Sequence, residues 1–277
     1  MAANPITLER VQNVILMVYL YGGCTAEHIR RCYFSSHGAR SACYAWIARL
    51  VKDDYLVSTR LPSLTGIGSG KAFLTTGPNA RPLLAKALGI PRTELARMRM
   101  DSPFMIAHHI ALCDIRLSFE LAAKRSPFFT LQDWVTDAEL KRLPVERVKD
   151  PKDENREIAL IPDARFTLAV EQGTEQTFLA ELDLSNLSPK RLRTKLRGFL
   201  KVKPPPVLFI VPDRQRQAAI AQWAAEEARD MQADPTIFWL ATKDSINEST
   251  VFSAPIWQIV GGPAALALDS LAHKEVF

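Results

Sequence analysis

The stretch FLAELDLSNL, residues 178–187, decides how the second half of this 277-residue chain is read. Side chains alternate across a strand, so Phe178, Ala180, Leu182 and Leu184 share one face while Leu179, Glu181 and Asp183 share the other. The two acids would stand roughly 6.6 Å apart at a rise of about 3.3 Å per residue. Upstream, IPDARFTLAV (161–170) reads as a neighbouring strand whose Asp163 would complete an oxygen cluster. Such a cluster suits Mg2+ or Mn2+. A hard cation held by carboxylates binds a phosphate oxygen, eases deprotonation of an attacking water and offsets developing charge. The plainer reading of the same residues is two acids on the solvated face of an edge strand, beside a Pro-Asp turn.

The segment that follows bears on the choice. In PKRLRTKLRGFLK (189–201), Leu192, Leu196, Phe199 and Leu200 form an inward helical stripe. Lys190, Arg191, Arg193, Lys195, Arg197, Lys201 and Lys203 supply seven bases, with no acid between 188 and 203. That face would attract phosphate, with Lys190, Arg191 and Arg193 as candidate DNA contacts. Lys195 borders the apolar stripe, where it would lean toward the acid-bearing strand as a catalytic cation or else snorkel to water. Further apolar runs, PVLFIVPD, TIFWLATKD and PIWQIV, read as strands, and RQRQAAIAQWAAEEARD reads as a helix between them. Ahead of them all, SPFMIAHHIALCDIRLSFELAAKR is expected to be a helix burying Ile110, Cys113, Leu117 and Leu121, with Asp114 and Glu120 beside that stripe. His108 and His109 are adjacent, so they diverge by about 100° on a helix and cannot chelate one ion together; they are expected to cap or pack. The charged run KRLPVERVKDPKDENRE (141–157) is expected to be a solvated loop. A leading helix, paired strands and alternating strand and helix describe an α/β domain with a mixed sheet over residues 101–277.

The first hundred residues have another character. NPITLERVQNVILMVYLYGG carries Ile6, Val11, Val14, Ile15, Val18 and Leu20 near a 3.6-residue rhythm, with Thr7 as a cap and Gly22-Gly23 as the stop. A second helix begins after Thr25. A third spans ARSACYAWIARLVKDDYL, with Cys43, Ile47, Leu50 and Val51 inward. YLVSTRL and AFLTT then read as a hairpin around the glycine-rich loop PSLTGIGSGK. Helices followed by a hairpin make a winged helix-turn-helix, whose third helix fits the DNA major groove. His37, Arg40, Ser41, Tyr44 and Arg49 would face the groove, and Arg60 and Lys71 would reach phosphates from the wing. Protein contact through a solvated polar face is the plainer alternative. GIGSGK is not a phosphate-binding loop of the G-x-x-x-x-G-K-[ST] kind, because Thr65 and Ala72 stand where that pattern needs Gly and Ser or Thr. A boundary is expected near residue 100, after a Pro break and a second polar helix in PRTELARMRMD.

Composition is compatible with this. Lys and Arg number 35 against 30 Asp and Glu, a formal charge of +5 that favours polyanion partners. Hydrophobic residues at 47% suffice for real cores in two domains. The four cysteines, Cys24, Cys32, Cys43 and Cys113, show no C-x-x-C pairing, which points to a reducing cytoplasmic setting. No leader pattern and no membrane-length apolar run is present, so membrane partners are not expected.

At these residues the chain resembles the PD-(D/E)XK nuclease superfamily, through IPD…ELD between a leading helix and a basic helix. Its whole layout resembles the replication-relaxation family of plasmids and other mobile elements, over roughly residues 8 to 230: a winged helix, HHIALCDIRLSFEL, PDARF, FLAELDLSNLSPKRLRTKLRGF and VLFIVPD. The resemblance implies a restriction-endonuclease-like fold in the second domain, α+β overall. It places metal-binding acids on Asp163 and Glu181 and a leading-helix acid on Glu120 or Asp114. Asp183 stands where the superfamily has lysine, and Lys195 would be a displaced replacement. A carboxylate cannot give positive charge to a scissile phosphate. The implied function is therefore a double-stranded-DNA-binding protein acting in replication, DNA relaxation or mobilisation, whose nuclease-like domain is a platform for DNA, for replication or mobilisation proteins, or for a second copy. The alternatives are a Mg2+-dependent endonuclease or nickase and a winged-helix transcriptional regulator.

Overall fold

In the computed structural model, residues 8–34, 39–60, 72–95, 102–170, 173–185, 187–262 and 265–271 are described. The chain folds as two compact units, Met1–Asp114 and Ile115–Phe277. The boundary expected near residue 100, and most of the polar helix expected before it, lie in 96–101, outside the described residues.

The first unit contains α1 (Leu8–Leu20), β1 (Cys24–Thr25), α2 (Ala26–Tyr33), α3 (Ala39–Lys52), β2 (Leu56–Arg60), β3 (Ala72–Thr76), α4 (Arg81–Leu88) and the start of α5 (Pro103–Arg125). Its strands form an antiparallel sheet in the order β1-β3-β2. Along α1, Val11, Val14, Ile15 and Val18 are buried as the rhythm requires, but Leu20 is exposed and Met17 and Tyr21 are buried instead. The reason is rotation: Leu20 lies six residues after Val14, about 240° away around the helix, whereas Met17, Val18 and Tyr21 stay on its side. The helix stops at Gly22 and Gly23, both at positive φ. A Cβ on Gly23 would lie 2.4 Å from the Phe73 ring, so only glycine lets the turn close on β3. At α2 the Thr25 amide donates to His28 Nδ1 at 3.1 Å. Helix α3 buries Cys43, Trp46, Ile47 and Leu50, with the expected Val51 only half-buried. His109 packs edge-on against Phe73 and lies 3.0 Å from the Gly23 carbonyl.

The second unit continues α5 and adds β4 (Phe129–Thr136), α6 (Asp137–Leu140), β5 (Arg147–Asp150), β6 (Asp153–Ala159), β7 (Ala164–Val170), β8 (Glu175–Leu182), α7 (Pro189–Val202), β9 (Val207–Val211), α8 (Arg214–Met231), β10 (Phe238–Thr242), β11 (Trp257–Ile259) and β12 (Ala265–Leu266). Seven strands make one mixed sheet in the order β12-β11-β10-β9-β8-β7-β4. The β4-β7-β8 part is an antiparallel meander, and β8, β9 and β10 run parallel. The protein is thus of α+β class. On one face, Leu192, Leu196 and Phe199 of α7 and Ile220 and Ala224 of α8 pack on Val207, Phe209, Phe238 and Leu240. On the other, Phe119 of α5 meets Phe166 at 4.8 Å, and Phe166 stacks on Phe178 and Trp134. The stripe expected on α5 holds for Ile110, Cys113 and Leu117, while Leu121 is half-buried and Phe119 is wholly buried. The α5 helix is therefore covered around more of its circumference than one stripe.

The charged run 141–157 is a turn and loop, mostly exposed as expected, only over 141–146. Its second half forms the antiparallel hairpin β5–β6, paired from Arg147↔Ala159 to Asp150↔Asp153. Asp150 is 1% exposed, and Arg197 of α7 grips both its oxygens, at 2.7 and 2.8 Å. Lys152 reaches Glu227 at 2.9 Å and Asp230 at 2.7 Å on α8. Asp150 and Lys152 thus find partners far away in sequence while Arg147, Lys149 and Glu157 stay exposed, and Ile158 and Leu160 seat the hairpin in the α7 core. Gly198 makes room, since a Cβ there would lie 2.7 Å from Leu160 Cδ2.

Among the described residues, no helix is long and apolar enough to cross a membrane.

Candidate functional site

In the first unit, α3 has an outward face built by elementary periodicity. With Cys43, Trp46, Ile47 and Leu50 inside, Arg40, Ser41, Tyr44, Ala45, Ala48 and Arg49 are left exposed. The small alanines leave the backbone accessible between the long polar side chains. Tyr44 is 44% exposed, and Arg49 stands 3.8 Å from Asp53 one turn on. Arg60 ends β2 in the exposed part of the hairpin, next to Val57, Ser58 and Thr59. His37 and Lys71 lie outside the described residues, as does the glycine-rich loop between β2 and β3.

In the second unit, the acids gather around the end of β8. Glu181, 5% exposed, accepts from Lys195 Nζ at 2.5 Å. Asp163 Oδ2 accepts from the Leu182 amide at 2.8 Å. Burial works against the charged form of Lys195, but the charges of Glu181 and Asp163 and the bond to Glu181 outweigh it, so its pKa lies above the ordinary value. Lys195 is therefore an ammonium at neutral pH. Asp183, just past the end of β8 and 4% exposed, has a different partner: Arg216 Nε donates to it at 2.5 Å, and the Ser185 amide donates at 2.9 Å. Arg216 also donates to the Leu187 carbonyl at 3.0 Å and stacks over Trp223. Sequence reasoning did not single out Arg216; a base three residues after the α8 cap Asp213, facing an acid at a strand end, was the signal available.

The leading-helix acids are held elsewhere. Glu120 accepts from Arg116 at 2.8 Å. Asp114, in the first unit, lies 2.9 Å from His28 Nε2 and 3.8 Å from Arg31. Because His28 Nδ1 accepts from the Thr25 amide, its Nε2 carries the proton that Asp114 accepts.

Glu181 and Asp183 each carry a salt bridge, Asp163 holds a backbone amide, and among the described residues no three His, Cys, Asp or Glu side chains converge as metal ligands. The basic face of α7 is also smaller than its sequence suggests. Arg193 donates to Glu227 at 3.0 Å and to Glu226, and Arg197 is buried against Asp150. Lys190 and Arg191, in the first turn, remain exposed.

A sequence model of the replication-relaxation family matches residues 17–203, a span containing α3, the β2–β3 hairpin, Asp163, Glu181 and Lys195. Comparison with curated proteins and with solved structures gives no match.

Proposed function

The chain belongs to the replication-relaxation family, and from that premise we propose that it binds double-stranded DNA of a plasmid or other mobile element and holds it during replication or relaxation. The exposed face of α3 carries the reading. Arginine pairs bidentately with guanine, serine and the tyrosine hydroxyl donate to phosphates or base edges, and a helix fits the major groove. In a winged-helix reading, α3 enters the groove and the β2–β3 hairpin, with Arg60, meets the neighbouring backbone.

The second unit is read as a nuclease-like platform. Helix α5 leads the acid-bearing strands and the basic helix α7 follows them, which supports this reading. Its DNA contact is assigned to Lys190 and Arg191 rather than to Arg193, whose guanidinium is already matched by Glu226 and Glu227. Holding is favoured over cutting because position 183 offers a carboxylate bound to Arg216.

Arg40→Ala and Tyr44→Ala should each leave the fold intact, since both side chains are exposed, and lower discrimination between the cognate site and random duplex. Loss of a bidentate base contact costs about 1–3 kcal/mol, so the Arg40 change should narrow the ratio of specific to random affinity roughly 5- to 150-fold. Competition of a duplex selected by the wild-type protein from a random pool against unselected random duplex reads that ratio. An unchanged ratio in both variants contradicts the assignment of α3.

A further inference from the structure

Asp163 and Glu181 belong to adjacent antiparallel strands. The register that pairs Ala164 with Ala180 puts Asp163 opposite Glu181 at the next step, and the Leu182 amide bound to Asp163 fixes that placement. Residues opposed in this way bring their Cβ atoms to about 4.5–5.5 Å. Two carboxylates so placed at a largely buried strand end repel each other and need a proton, a metal or a fixed cation between them. Helix α7 delivers one such cation. Lys195 sits one turn before Phe199, lies 6.0 Å from its ring centroid, and presents its ammonium to Glu181.

We propose that Lys195 is a built-in cation for the Asp163–Glu181 pair, taking the charge-balancing place of a divalent metal, so that the native site is closed to metal and opens as a Mn2+ site when the lysine is removed. An ammonium is a compact charge with three donors on a flexible stem, suited to an oxygen pair. Because it is tethered to α7, whose Leu192, Leu196 and Phe199 are locked in the core, it occupies the site at every metal concentration. The nuclease-like reading supplies only the comparison, and no DNA enters the argument or its test.

The test uses the full chain, freed of metal with EDTA and titrated with Mn2+, following the free-ion paramagnetic signal and thermal unfolding. Wild type is expected to take up no Mn2+ that depends on Glu181 and to melt at the same temperature with or without it. Lys195→Ala is expected to melt lower in EDTA, to recover on adding Mn2+, and to bind one equivalent at least about tenfold more tightly than wild type. Adding Glu181→Gln or Asp163→Asn to Lys195→Ala should abolish both effects. Folded Lys195→Ala that binds Mn2+ no better than wild type overturns the proposal. The wild-type arm stands even if Lys195→Ala does not fold: stoichiometric uptake by the native chain that Glu181→Gln removes also overturns it.

Discussion

Replacing Arg197 by alanine is expected to destabilise the second unit by about 3–5 kcal/mol, the cost of leaving a buried charge without its partner. Asp150 is 1% exposed and accepts from Arg197 through both oxygens, and Arg197 also lies 3.4 Å from Glu227. Without the guanidinium, the β5–β6 hairpin keeps a buried carboxylate that has lost both Arg197 bonds and retains the Lys152 amide as donor. Asp150→Leu combined with Arg197→Met should recover most of the loss, because removing both members of a buried pair is far less costly than removing one. Urea unfolding followed by tryptophan fluorescence measures both. A loss under about 1 kcal/mol for Arg197→Ala would mean that the hairpin is not clasped by this pair.

The same clasp has an acid signature. The hydrogen bond from Arg197 holds the Asp150 carboxyl below its ordinary value of 3.8. For Glu227, burial pushes upward, but the bonds from Lys152 and Arg193 outweigh it, leaving the group below 4.5. Both pKa values are depressed by folding, so both contribute stability that is complete above the ordinary carboxylate range and is lost as pH falls through the lower folded values. Arg197→Ala should therefore flatten the loss of stability below about pH 4.

The second large effect concerns position 183. Arg216→Ala is expected to cost about 3 kcal/mol or more, because Asp183 would remain buried with its charge uncompensated and the Leu187 carbonyl would lose its donor. Asp183→Asn should cost less, since an amide oxygen still accepts from the Ser185 amide, and the charge left without its counter-ion is that of Arg216, which is less buried and keeps its bond to the Leu187 carbonyl. Chemical denaturation of the two variants gives the order. If Asp183→Asn proved the more damaging, with Arg216→Ala near wild type, the carboxylate would have a purpose other than tying the end of β8 to the start of α8.

Much of this architecture was legible in the chain. Alternation along FLAELDL put Glu181 and Asp183 on one side of the strand, and their partners Lys195 and Arg216 come from α7 and α8 on that side. The position of Lys195 beside the apolar stripe of α7 left two readings open, leaning toward the acids or snorkelling to water, and its ammonium meets Glu181. What escaped was pairing at long range. Asp150 with Arg197, and Lys152 with Glu227 and Asp230, are separated by dozens of residues, so within a run of balanced charges that is mostly solvated, as read, the buried clasp at Asp150 went unseen. The same blindness made α7 look like an unbroken phosphate-attracting face. Leu20 was misplaced for a smaller reason, a stretch of apolar residues too dense for its rhythm to pick one row of the helix over the next.

Supercoiled plasmid incubated with the full chain in Mg2+ or Mn2+, over a range of salt, and run on a gel with and without removal of protein, decides between holding and cutting. The expected result is a retarded band whose retardation falls steeply as salt rises, with the plasmid recovered supercoiled once protein is removed. A nicked product that Glu181→Ala abolishes, or no retardation even at low salt, would contradict it.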